Sequence, residues 1–134
     1  MPIAAKQLDS SQQMIIPLVI NAQTKAGGYT VMGGDEFDPS DLPSDGRSIE
    51  FVARLLTTNI GNDGYVRLYN VSDGYVVAES ITNSLSADRL STMLYVPADL
   101  PNTQKTYEVQ LKISPADGIN SVFCQKAEFK IRWA

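Results

Sequence analysis

Apolar and polar residues alternate with a period of two over most of the chain, and no long stretch sustains the 3.6-residue period of a helix. From Thr106 to Ile113, Tyr107, Val109, Leu111 and Ile113 fall on one face and Glu108, Gln110 and Lys112 on the other. That pattern predicts a strand with one buried and one wet face. In Ser48–Thr57, Ile49, Phe51, Ala53 and Leu55 oppose Glu50, Val52, Arg54 and Leu56. The C-terminal stretch puts Ala127, Phe129, Ile131 and Trp133 towards a core and Glu128, Lys130 and Arg132 towards water. Upstream, Val122 and Cys124 fall on the opposite parity, so the phase slips near Gln125-Lys126. A one-residue slip turns a core face to solvent unless a β-bulge absorbs it, so a bulge is predicted there. Further strands are predicted at Gln13–Ile20, Gly28–Met32, Gly64–Asn70, Tyr75–Ile81 and Ser91–Val96. With glycine and proline between them, these make an all-β fold, an antiparallel β-sandwich or jelly roll of about eight strands. Ser84–Leu90 reads as the one helical turn.

The best-specified local element is the hairpin Tyr65–Ser80, YVRLYNVSDGYVVAES. Ser72-Asp73-Gly74 suits a three-residue loop that closes with glycine in the left-handed conformation. That turn sets Val66 opposite Ser80 and Leu68 opposite Ala78 on one face. On the other, Arg67 meets Glu79, Tyr69 meets Val77 and Val71 meets Tyr75. An opposite-charge pair and aromatic–aliphatic pairs support this register. The face of Tyr65, Arg67, Tyr69, Tyr75, Val77 and Glu79 is too apolar for simple exposure and is the expected partner-binding surface.

Composition narrows the chemistry more than it suggests any. The chain has 134 residues, 43% hydrophobic and 19% charged, which suits a single folded domain spanning 1–134 with a short N-terminal arm over about residues 1–12. It contains no histidine, which removes Ser-His-Asp and Cys-His catalysis and every histidine-ligated metal. One cysteine, Cys124, allows neither an internal disulfide nor a cysteine-clustered metal. A net charge of −4 without a basic block argues against nucleic acid as partner. No basic segment leads into an apolar run at the start, and the run Met14–Ile20 is broken by Pro17, so neither export nor a membrane span is expected. The sequon Asn70-Val71-Ser72 is then expected to be fortuitous.

The densest acidic stretch, Gly34–Arg47, holds Asp35, Glu36, Asp38, Asp41 and Asp45. Its spacing lacks the closing bidentate glutamate of a calcium loop and reads as a solvated loop, so no metal is expected. No carboxylate pair sits in a glycosidase-like context, no Ser-x-x-Lys occurs, and no glycine-rich loop joins a strand to a helix. No catalytic residue and no cofactor is predicted, and the chain is not expected to be an enzyme. The tyrosine row of the hairpin fits either protein packing or a glycan-stacking platform. Cys124, next to Val122 and Phe123 on a predicted strand, is expected to be a buried thiol.

The hairpin, the following polar segment Ser80–Arg89, the link Pro97–Pro101 and the strand Thr106–Ile113 together resemble a module of tailed-bacteriophage structural proteins. The resemblance covers Ile49 to Ile113. It implies a small β-sandwich decoration, cement or head-fibre subunit, made in the host cytoplasm and residing on the virion. The implied partners are a major capsid protein or another virion protein and further copies of the chain, with a trimer as the first expectation. The competing reading is a carbohydrate-binding module of a fibre or receptor-binding protein.

Overall fold

A computed structural model describes residues 13–42 and 47–133. The expected N-terminal arm and Asp45 lie outside the described residues. Eight strands follow one another: β1 (Gln13–Thr24), β2 (Thr30–Phe37), β3 (Ser48–Thr57), β4 (Asp63–Asn70), β5 (Tyr75–Thr82), β6 (Asp88–Leu94), β7 (Lys105–Ser114) and β8 (Val122–Arg132). They form two four-stranded antiparallel sheets with orders β1-β8-β3-β6 and β2-β7-β4-β5. Every connection except the β4–β5 hairpin crosses from one sheet to the other, which is the wiring of a jelly roll. The predicted fold class is therefore the observed one. Among the described residues the one helical element is a 3-10 turn, Pro39–Asp41, capped by the Asp38 carboxylate. The turn expected at Ser84–Leu90 is not helical; its last three residues open β6, drawn out by pairing of Asp88, Arg89 and Leu90 with Leu55, Arg54 and Ala53 of β3.

The bulge predicted in β8 is present. Ala53 pairs with Ala127 and Arg54 with Lys126, but Leu55 pairs with Cys124, so Gln125 is the extra residue. On the other side of β8, Asn21 lies between the Ile20–Lys126 and Ala22–Cys124 pairs and takes φ +52°, a left-handed conformation asparagine tolerates. With the slip absorbed, Val122, Cys124, Ala127, Phe129 and Ile131 all lie in the core, each fully buried. Phe129 bridges the sheets: its ring stacks on Phe37 of β2 at 4.6 Å and meets Tyr107 of β7 edge-on at 5.5 Å. Contacts of this kind add about 0.5–1.5 kcal/mol beyond the area they bury. Glu128, expected in water, is instead 6% exposed. It faces outward, but β8 is an inner strand, and Pro17 and Val52 flank it from both neighbours while Lys126 Nζ approaches to 3.8 Å.

Gly34 marks the tightest backbone approach between β2 and β7, where a Cβ would sit 2.1 Å from the Tyr107 carbonyl oxygen. Gly34→Ala should therefore cost about 1–3 kcal/mol or more in chemical denaturation. Gly28→Ala, at a position with nothing within 4 Å, should be neutral or slightly stabilising. Trp133, 7% exposed at the end of the chain, provides a second check. Its native emission should be blue-shifted and move red on unfolding, and deleting Lys130–Ala134 should abolish folding.

Candidate functional site

The outward face of the β2-β7-β4-β5 sheet gathers the side chains with the most unusual surroundings. Cross-strand register arranges it in rows. Val31, Gln110, Arg67 and Glu79 form one row across the four strands, and Gly34, Glu108, Tyr69 and Val76 form the next. Lys112, Tyr65 and Ile81 make a third, which Tyr29 extends from the residue before β2. Alternation along each strand places these residues together.

Tyr29 is the hub. The Arg67 guanidinium carbon lies 4.0 Å from its ring centroid and Lys112 Nζ lies 4.7 Å away. Tyr65 meets the same ring edge-on at 6.5 Å and takes Lys112 Nζ at 4.6 Å from its own centroid. The Tyr29 hydroxyl donates to Glu79 Oε2. Arg67 also stands 5.4 Å from the Tyr69 centroid, and its Nε donates to Gln110 Oε1 at 2.6 Å. Gln110 Nε2 in turn donates to Glu108 Oε1 at 2.9 Å. Two cations, two carboxylates and three aromatic rings thus satisfy one another within one layer. Each cation–π contact contributes about 0.5–1 kcal/mol at such a half-exposed site. Around this polar centre, Val31, Val76 and Ile81 are 51%, 42% and 48% exposed.

Four of the six residues expected on this face, Tyr65, Arg67, Tyr69 and Glu79, are there. Tyr75 and Val77 are not. The Leu68–Ala78 and Arg67–Glu79 pairs hold as predicted, but Tyr69 pairs with Val76 and Asn70 with Tyr75. The turn spans Val71–Gly74, closed by Gly74 N–H donating to the Asn70 carbonyl at 2.8 Å, with Gly74 at φ +76°. The buried Asn70 side chain ties it further, accepting from Asp73 N at 2.9 Å and donating to Asp73 Oδ2 at 3.0 Å. This leaves Val77 as a bulge residue that packs on the core, while the Tyr75 hydroxyl reaches the Asp99 carbonyl at 3.5 Å. Tyr29, Glu108, Gln110 and Lys112 were not expected on the site. The last three were read as a wet strand face, yet Gln110 is only 8% exposed. Tyr29 and Val31 share a parity, which is the one sequence signal that could have placed Tyr29 beside them.

The other candidates do not converge. Asp35 and Glu36 belong to β2 rather than to a loop, and Asp35 and Asp38 accept from the backbone N–H groups of Glu36 and Ser40 at 2.7 and 3.0 Å. Among the described residues no three carboxylate or thiol side chains surround a common point. Cys124 is buried, and desolvation pushes its thiol up to about 12 despite a hydrogen bond from the Lys126 backbone.

Burial, the hydrogen bond to Glu79 and the charge of that carboxylate raise the Tyr29 phenol well above its ordinary value, with Arg67 opposing. Burial pushes Tyr107 up to about 12. Both groups are favoured neutral in the folded state, so the stability they contribute is complete below the unfolded phenol value of about 10. It is lost as pH rises through the folded values. Phenolate absorbance should show late-titrating tyrosines, one of which disappears in Tyr29→Phe and another in Tyr107→Phe. An alkaline titration unchanged in both variants would contradict the assignment.

No family model and no curated protein matches the sequence, so the expected bacteriophage family is not identified. Solved structures do share the fold. VP2 of infectious bursal disease virus, in its subviral particle, superposes with a TM-score of 0.57 at 12% identity, over 98% of this chain and 36% of that one. The T13 particle of the same virus gives 0.56 at 11% identity, over 99% and 35%. The chain thus spans about a third of the length of these viral proteins. The CBM36-1 domain of a multidomain xylanase from the hindgut metagenome of Trinervitermes trinervoides gives 0.50 at 11% identity, over 92% and 98%. At such identities the likeness establishes a two-sheet β fold common to viral particle proteins and a carbohydrate-binding module.

Proposed function

We propose that the chain is a structural virion protein that docks on a capsid lattice through the outer face of the β2-β7-β4-β5 sheet and acts by surface burial rather than catalysis. The observation that carries this reading is the state of the aromatic rings. Tyr29, Tyr65 and Tyr69 each have a cation of the same chain within 5.4 Å of the ring centroid. Ring faces engaged in this way are poorly placed to stack on a sugar. Tyrosine and arginine bordered by exposed aliphatic residues instead match the composition of protein interface centres. A charge-balanced centre also docks without leaving an unpaired ion in the interface. The decoration or cement role follows from the hairpin resemblance and agrees with the fold shared with viral particle proteins.

A carbohydrate-binding role is the second reading, favoured by the whole-domain likeness to CBM36-1 and by an open concavity beside Gly33 and Gly34, bordered by Val31, Glu36 and Glu108. Cryo-electron microscopy of particles from the source should place the chain on the capsid with Tyr65, Arg67 and Tyr69 against a neighbouring protein. Arg67→Ala should then weaken particle binding by about 2 kcal/mol or more while leaving the fold intact. Particles without the chain, together with saturable binding of oligosaccharides that Glu108→Ala abolishes, would overturn the virion reading in favour of the glycan.

A further inference from the structure

One surface aromatic ring has no partner in its own chain. Tyr95, the residue after β6, is 64% exposed, and among the described residues no ring, cation or hydrogen bond engages its side chain. In this it differs from Tyr29, Tyr65 and Tyr69, each with a cation at its ring. Its backbone is nonetheless fixed. Tyr95 N–H donates to Asp99 Oδ2 at 3.0 Å, and the Tyr95 carbonyl accepts from the N–H groups of Asp99 and Leu100 at 2.7 and 3.2 Å. Leu100, fully buried, anchors that turn. The ring lines a cavity of about 290 Å³ together with Arg47, Ser48 and Met93, close to the lower end of the range for ligand pockets. Met93 and Tyr95 share a parity, so both stand on the outer side of the β1-β8-β3-β6 sheet. Arg47 Nη1 donates to the Pro39 carbonyl at 2.7 Å, which positions the guanidinium and engages one of its five N–H donors.

The sheet face that leads away from this cavity is basic, in a chain of net charge −4. Lys126, Arg54 and Arg89 stand directly opposite one another across β8, β3 and β6. Lys130 and Arg132 follow along β8, and Arg132 is opposite Ser48 in the cavity wall. Against these cations the face carries Glu50, bound by Arg89 at 3.2 Å, and Glu128, 3.8 Å from Lys126. Like charges directly opposed cost a sheet stability. The Lys126–Arg54–Arg89 row therefore has no rationale in strand pairing and gains one from an anion lying over it.

We infer that the Tyr95 cavity and the basic face beside it bind an acidic oligosaccharide, with one pyranose stacked on the Tyr95 ring, its carboxylate on Arg47, and the following units along Arg132 and Lys130. A pyranose offers an apolar C–H face to an aromatic ring and hydroxyls at its edge, and a carboxylate matches the guanidinium fork. An acidic peptide would use the cations and leave the ring unused, whereas a neutral sugar would use the ring and leave the cations unused. The site lies on the sheet opposite the proposed docking face and away from the concavity beside Gly34, so it goes beyond both readings and can fail without either.

The test is calorimetric titration of the full chain with a galacturonic acid tetrasaccharide, its methyl ester and a glutamate tetrapeptide. The acid should bind saturably, the ester about tenfold more weakly, and the peptide not at all. Tyr95→Ala should weaken binding of the acid by about tenfold or more, while Tyr95→Phe, which keeps the ring, should not. Arg47→Gln should abolish the preference for acid over ester. Unchanged Trp133 emission shows that each variant keeps its fold. Absence of binding to the acid overturns the inference. So does equal binding of the tetrapeptide, which would make the face a plain cation exchanger. Binding that survives Tyr95→Ala and is lost in Glu108→Ala also overturns it and keeps the glycan reading at the Gly34 concavity. Binding lost in Tyr95→Ala, with no attachment to particles, would leave the inference standing and remove the virion reading alone.

Discussion

One geometrical constraint governs the architecture: a strand presents alternate residues to opposite faces, and β8 carries two apolar sets of opposite parity. Gln125 resolves the conflict by bulging. Because β8 lies between β1 and β3, an unresolved slip would affect both pairings. It would also remove Phe129, Ile131 and Trp133, or else Val122 and Cys124, from the core. Phe129 then serves as the contact through which the first sheet meets Phe37 and Tyr107 of the second. The bulge is thus a condition for the sheets to pack, and the left-handed Asn21 beside it on β1 belongs to the same local adjustment.

The outer face of the second sheet shows how a surface can be apolar in composition without being greasy. Arg67 and Lys112 cover tyrosine rings with their cationic groups, and Glu79 is taken up by a phenol. The layer is ordered by its own contacts, so its side chains keep little rotamer freedom.

At one end of the sandwich the loops are tied to one another by side-chain hydrogen bonds. At the end carrying the β3–β4 and β7–β8 connections, Asn62 Nδ2 donates to the Pro115 carbonyl at 2.8 Å, and Ser121 N–H donates to Thr58 Oγ1 at 2.9 Å. The Asp117 carboxylate accepts from the backbone N–H groups of Asn120 and Ile119 and from the Asn120 side chain, which holds it well below the usual carboxylate range. These ties fix the two crossovers that join the inner strands of one sheet to those of the other.

Much of this was legible in the chain before any coordinates. The eight strands, the two-sheet class, the bulge near Gln125-Lys126 and the inner half of the hairpin register all follow from local rules: alternation, turn residues and opposed side-chain pairs. Tyr65, Arg67, Tyr69 and Glu79 were placed on one face by the same means. Tertiary structure alone decided the rest. The four-residue turn at Val71–Gly74 shifted the register by one and sent Tyr75 and Val77 elsewhere, and β7 holds that turn: Val71 N–H donates to the Thr106 carbonyl, Thr106 N–H to Ser72 Oγ, and Lys105 pairs with Asp73. Tyr29 joined Tyr65 because β2 and β4 both flank β7, a neighbourhood set by sheet order and invisible to the period of either strand. Glu128 and Gln110 lost their expected exposure for the same reason. Alternation says which way a side chain points, whereas burial depends on what stands beside it, and that is a property of the assembled sheet.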